Sequence, residues 1–249
     1  MLTKFVIVLD KSGSMWATKR EAINGLNEQI QQARIMAKDH EISCSFYTFN
    51  ADVFEHLVDV AASELKEIDE KDFIPNGGTA MKDAMGYVLT SLFEKDNENT
   101  KYLVYVISDG ETYDDKYFDS ARLGKLIENF DATKRLTLTY MGCKSTMEKV
   151  SREMHIPIGN MAAWSNDSCQ NVNAAFTAQT RNFIGYFQEA AKGNSNSRCY
   201  ASCDGSFADY TESKPKTLDD THTPILKKQR VDNILNDGHI VDNYSVFEK

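Results

Sequence analysis

The sequence predicts an α/β fold built on a mainly parallel sheet with one antiparallel edge strand. Three observations carry this expectation. Strand-like and helix-like segments alternate from residue 3 to about residue 190, the order that lays helices over a parallel sheet. Two segments, "TKFVIVL" and "KYLVYVIS", are continuous apolar runs of strand length, as expected of strands covered on both faces. The segments between strands repeat their apolar residues at helical spacing.

"TKFVIVL" (3–9) is the first central strand. A helix follows from Lys19 to Ala37, with Ile23, Leu26, Ile30 and Ala33 on one face. "EISCSFYTF" (41–49) is a second strand, and "DVFEHLVDV" (52–60) returns beside it as an edge strand through the Asn50-Ala51-Asp52 turn. "PNGGTAMKDAMGYVLTSLFEKD" begins as a Gly-rich loop and becomes a helix with an apolar stripe of Met81, Met85, Val88, Leu89 and Leu92. "KYLVYVIS" (101–108) is the second central strand. A helix over 116–129, the strand "RLTLTYMG", a short helix over 147–154, a short strand within "IGNMAAW" and a long helix to about Ala191 complete the series. Residues 1–192 form the domain. Residues 193–249 are polar, rich in turn formers and without a sustained period, so they read as an extension. Its end repeats Val-Asp-Asn at 231–233 and 241–243, which fits a docking segment better than a structural repeat.

The chain has 249 residues, 41% hydrophobic and 26% charged, ordinary for a globular protein. A formal net charge of −9 argues against nucleic-acid binding, which needs a basic face. No apolar stretch approaches the roughly 20 residues that span a bilayer, and no signal-peptide pattern opens the chain. The five scattered cysteines argue against a disulfide framework and for a reduced, cytoplasmic protein. "CYASC" (199–203) lacks zinc-site spacing, and "KKQR" (227–230) is a short solvated run.

Ligands of open α/β sheets bind beyond the carboxyl ends of the strands. Three oxygen-rich loops lie at strand ends or helix starts: Asp10-Lys11-Ser12-Gly13-Ser14, Asn76-Gly77-Gly78-Thr79 and Ser108-Asp109-Gly110-Glu111. Taken alone, Asp10, Ser12 and Ser14 fit a helix-capping turn as well as a ligand set. Thr79 fits an N-cap, Asp83 and Glu111 solvated or structural carboxylates, and Trp16 a side chain packed over the top of the sheet.

"DKSGS", "GGT" and "SDG" together, in this order and placement, resemble the metal-ion-dependent adhesion site of a von Willebrand factor A domain. The resemblance covers residues 3 to 190 and implies a three-layer, doubly wound architecture. It implies that Ser12 and Ser14 bind a metal directly, while Asp10, Thr79 and Asp109 bind directly or through water. The donors suit Mg²⁺, with Mn²⁺ or Ca²⁺ as alternatives, because all are hard oxygens and no His or Cys lies in these loops. Two carboxylates only balance one divalent cation, so the resemblance implies an open coordination position for an Asp or Glu from a protein partner. A short, single-domain version of this kind resembles bacterial or bacteriophage members of the family.

The expected function is therefore a metal-dependent protein-binding module rather than an enzyme. The alternative is Mg²⁺-dependent phosphoryl transfer with Asp10 as nucleophile, although the position two residues on, where such enzymes want a second aspartate, is Ser12. A third reading places Asp232, Asp237, Asp242 or Glu248 of the extension on the metal in cis.

Overall fold

The computed structural model describes residues 1–110, 112–164 and 169–191. The extension, the domain boundary at 192, Cys199, Cys203, the acidic residues proposed to act in cis and Glu111 lie outside the described residues.

The elements are β1 (Leu2–Asp10), α1 (Lys19–Met36), β2 (Ile42–Phe49), β3 (Val53–Ala61), α2 (Met81–Glu94), β4 (Thr100–Ser108), α3 (Ser120–Asp131), β5 (Leu136–Cys143), α4 (Met147–Met154), β6 (Met161–Trp164) and α5 (Cys169–Ala191). The six strands pair in the order β3-β2-β1-β4-β5-β6. Every pairing is parallel except β2–β3. The doubly wound sheet with one antiparallel edge is thus present, and the chain reverses its direction of winding between β1 and β4.

Side-chain parity divides the core into two layers, because successive residues of a strand face opposite sides. Phe5, Ile7 and Leu9 of β1 and Leu103, Tyr105 and Ile107 of β4 face one side, where Ile23, Leu26 and Ile30 of α1 meet Phe176, Phe183 and Phe187 of α5. Val6 and Val8 of β1 and Tyr102, Val104 and Val106 of β4 face the other, against Met85, Val88 and Leu89 of α2 and Leu123, Leu126 and Phe130 of α3. Each such buried side chain contributes about 1.5–3 kcal/mol. The parity matters for function: Asp10 and Ser108 continue the even rows, so both leave adjacent strands toward the layer of α2 and α3.

Two expectations about helix starts need correction. The helix expected from residue 116 begins at Ser120. Asp119 caps it by accepting the Arg122 N–H at 2.8 Å, and the N–H groups of Lys116, Tyr117 and Phe118 are taken by the Asp83 carboxylate at 2.7–2.9 Å. These residues are therefore held by another helix rather than by their own. Thr79 is not an N-cap: Ala80 occupies that position, without a side-chain cap, and the Thr79 carbonyl accepts the Tyr113 N–H.

The two helices of the first layer touch closely enough to exclude a methyl group. A Cβ on Gly25 of α1 would stand 1.9 Å from the Phe176 ring. Helix propensity favours Ala over Gly by about 1 kcal/mol, whereas overpacking a core costs about 1–3 kcal/mol. Gly25→Ala is expected to lower stability in a denaturant titration; a gain would mean that Phe176 yields freely and that α1 and α5 are loosely packed.

Candidate functional site

β1 and β4 lie side by side with Leu9 opposite Ile107, so their last residues, Asp10 and Ser108, emerge together at the point where the winding reverses. That is the crevice in which open α/β sheets bind ligands. Asp10 is fully buried. Its Oδ2 accepts the Ser108 hydroxyl at 2.6 Å and its Oδ1 accepts the Ser12 N–H at 2.6 Å. The second bond folds the chain back immediately after the strand, an Asx-type turn. The Ser12 and Ser14 hydroxyls lie 3.0 Å apart, and Ser14 Oγ donates to Asp109 Oδ1 at 2.8 Å. Asp10, Ser12, Ser14 and Asp109 are in this way joined by a continuous run of hydrogen bonds. Neither serine caps a helix with its side chain, so capping does not account for the two hydroxyls.

Thr79 reaches the cluster through its loop. The Gly13 N–H donates to the Gly77 carbonyl at 3.1 Å, and the Asn76 N–H donates to the Lys11 carbonyl at 2.8 Å. Gly77 has φ +73°, a conformation that suits glycine. Gly78 leaves room for Asp114, whose Oδ2 accepts the Thr79 N–H at 3.0 Å and would stand 1.6 Å from a Cβ at position 78. Thr79 is buried, yet among the described residues its hydroxyl forms no hydrogen bond, including to the other four candidates.

Several supporting residues escape sequence reasoning. Ser108 closes the strand "KYLVYVIS" and opens the third oxygen-rich loop in the sequence, with no role of its own there; its place on the even row of β4 is the signal that makes it Asp10's partner. Tyr140 of β5 props the same residue by donating to the Ser108 carbonyl at 2.9 Å. Asn50 ties the β2–β3 turn to the Gly-rich loop, with Nδ2 2.7 Å from Asn76 Oδ1 and its carbonyl accepting the Ala80 N–H. Asp83 is buried and structural, as one of its two expected readings had it. Trp16 departs from expectation: it is 57% exposed, with the Lys19 ammonium 4.8 Å from its ring centroid. The fully buried Met15 fills the turn in its place.

Electrostatically the cluster is short of positive charge. Among the described residues neither Asp10 nor Asp109 has a salt-bridge partner. Burial pushes the Asp10 carboxyl up to about 7, against the hydrogen bonds from Ser108 and Ser12. Burial also raises Asp109, opposed by Ser14. Among the described residues no group of three or more His, Cys, Asp or Glu side chains gathers in metal-binding fashion. The cluster is instead two carboxylates and three hydroxyls, all hard oxygen donors, and a divalent cation of the Mg²⁺ class would compensate the buried Asp10 and the half-buried Asp109.

A family model for the von Willebrand factor type A domain matches residues 5–154. The fold is similar to the pilus adhesin SpaC of Lactobacillus rhamnosus GG in its open conformation, with a TM-score of 0.57 at 10% identity over 74% of this chain and 30% of that one. It is similar to proximal thread matrix protein 1 of the mussel byssus, with a TM-score of 0.50 at 12% identity over 74% and 48%. A von Willebrand factor type A protein from Catenulispora acidiphila aligns at 14% identity and a TM-score of 0.49, over 74% and 43%. The chain thus spans less than half the length of these three structures. No curated protein matches the chain in sequence.

Two outcomes test this geometry. Asp83→Ala leaves three buried or part-buried N–H donors without their acceptor, at about 1–3 kcal/mol each, so a loss of at least ~3 kcal/mol is expected by chemical denaturation. An aspartate whose folded-state pKa is raised favours the fold only while protonated. The Asp10 contribution is therefore full below about 3.8 and lost as pH rises to about 7. In chelator, Asp10→Asn should match the parent near pH 4 and exceed it at pH 8 by on the order of 4 kcal/mol; a variant less stable at pH 8 would show that the buried carboxylate is already compensated.

Proposed function

The chain belongs to the von Willebrand factor type A domain family, and from that premise we propose that it is a metal-dependent protein-binding module acting through the Asp10 cluster. The observation that carries this reading is the unbroken run of hydrogen bonds Ser108–Asp10–Ser12–Ser14–Asp109, which gathers two carboxylates without a salt bridge and two hydroxyls beside a third hydroxyl, on Thr79, that has no hydrogen-bond partner among the described residues. Ser12 and Ser14 would hold Mg²⁺, or Mn²⁺ or Ca²⁺ in its place, through their hydroxyls. Asp10, Asp109 and Thr79 would hold it directly or through water. When bound, the ion supplies a positive centre that attracts a carboxylate.

The chain's own residues supply the rest. Asp10 and Ser12 are buried and fix the floor, while Ser14 is exposed and Asp109 half-buried, which supports a site open to solvent on one side. With the ion held there, a partner's Asp or Glu would complement its charge. The neighbouring Gly13 and Gly77 are exposed and offer no side chain to obstruct it.

Asp10 is poorly placed as a phosphoryl-transfer nucleophile. It is fully buried and both its oxygens accept hydrogen bonds, and Ser12 stands where a second aspartate would be needed. We also propose a cytoplasmic setting, supported by Cys44 and Cys143, which are free and buried. Among the described residues no helix is long and apolar enough to cross a membrane.

Metal binding to the folded state alone raises stability by RT ln(1 + [L]/Kd), about 2.7 kcal/mol at a hundredfold excess over Kd. The melting temperature of the full chain should rise with Mg²⁺ and return with chelator. In Ser12→Ala and in Asp109→Ala the rise should vanish. A parent melting curve identical with Mg²⁺, Mn²⁺, Ca²⁺ and chelator would overturn the proposal.

A further inference from the structure

Six large hydrophobic side chains are exposed among the described residues: Met1, Trp16, Ile35, Ile74, Tyr113 and Ile158. They fall in two groups of three. Met1 precedes β1, Ile35 ends the helix that leads to β2, and Ile158 precedes β6, so these three sit at the amino edge of the sheet. The other three sit at the carboxyl edge, one on each loop of the candidate site.

Each of the three is exposed on or beside an anchored stretch of backbone. Trp16 lies two residues after Ser14, in a turn filled by the buried Met15. Ile74 lies between the buried Phe73 and Pro75, two residues before the Asn76 N–H that donates to Lys11. Tyr113, 75% exposed, donates its N–H to the Thr79 carbonyl at 2.9 Å. Aromatic side chains on a fixed backbone lose little entropy on binding, and Trp and Tyr dominate interface energetics.

We propose that Trp16, Ile74 and Tyr113 form an apolar rim that reads the residues flanking the partner's carboxylate, so that the ligand is an acidic side chain set between apolar neighbours. This rests on the reading of the Asp10 cluster as a carboxylate-binding metal site. Charge supports the choice of occupant. The chain carries a formal charge of −9 and repels a generally acidic partner at long range. Affinity for one carboxylate must then come from short-range terms: the ion, the Lys19 ammonium held over Trp16, and apolar burial on the rim. A ligand rich in acids would gain little from Trp16, Ile74 and Tyr113, whereas one acid among apolar residues uses all of them.

The test compares two synthetic peptides of equal length against the full chain in saturating Mg²⁺. One carries a single glutamate between leucine and phenylalanine, the other a single glutamate between glycine and serine. Trp16 reports directly, since the chain has two tryptophans and the other, Trp164, is 1% exposed. The apolar-flanked peptide is expected to bind at least tenfold more tightly and to shield Trp16 from acrylamide quenching. In the double variant Trp16→Ser, Tyr113→Ser the preference should fall below threefold, read by titration, while the Mg²⁺-induced rise in melting temperature stays intact. Equal affinity for the two peptides, or a preference that survives the double variant, overturns the rim. Binding that persists in chelator, or no binding of either peptide, overturns the carboxylate reading itself and the rim with it.

Discussion

The buried carboxylate of Asp10 is the constraint around which the rest of the carboxyl edge is arranged. A charge at the end of a fully covered strand is costly unless it is hydrogen-bonded and compensated. Two neighbours meet the first requirement: the Ser108 hydroxyl from the adjacent strand and the Ser12 N–H from the turn that follows. Both contacts depend on β1 and β4 being parallel neighbours in the observed register, and hence on the doubly wound order of the whole sheet. The second requirement is unmet by any side chain among the described residues, which is why burial leaves the Asp10 carboxyl raised to about 7.

From Asp10 outward, each loop is held by another loop rather than by its own strand or helix. The first leans on the Gly-rich loop through Gly13 and Gly77, and the Gly-rich loop leans on the segment after β4 through Asp114 and Tyr113. That segment is anchored in turn by Asp83 of α2. Burial falls along the same path, from Asp10 through Ser12 to the exposed Ser14. A rigid floor and an open mouth follow from this gradient without any need for a deep pocket. The described cavity of about 340 Å³ lies elsewhere, lined by residues including Ile127, Leu136 and Ile156 near the amino end of β5.

The same bracing explains why large apolar side chains are tolerated at the mouth. The Tyr113 N–H is held by the Thr79 carbonyl, Trp16 follows Met15, whose N–H bonds the Ser12 carbonyl, and Ile74 lies two residues before Asn76, whose N–H bonds the Lys11 carbonyl, so the exposed surface of all three stands on or beside anchored backbone. Lys19 places an ammonium over Trp16 at the mouth, in a chain whose formal net charge is −9. The opposite edge has exposed hydrophobics too, at Met1, Ile35 and Ile158.

The order and type of the elements were legible in the sequence because they rest on local periodicity: the apolar runs of β1 and β4, the helical stripes of α1 and α2, the turn before β3. The oxygen-bearing loops were legible as well, since Asp10, Ser12, Ser14, Thr79 and Asp109 sit at strand ends and a helix start where chain order alone places them. Tertiary structure alone decided how they meet. Asp10 and Ser108 are 98 residues apart, and Asp83 takes the N–H groups of a segment more than 30 residues away. The late start of α3 follows from the second of these contacts. A side chain's partner depends on which strands are neighbours and which face each residue takes, and no window of sequence contains both halves of such a pair.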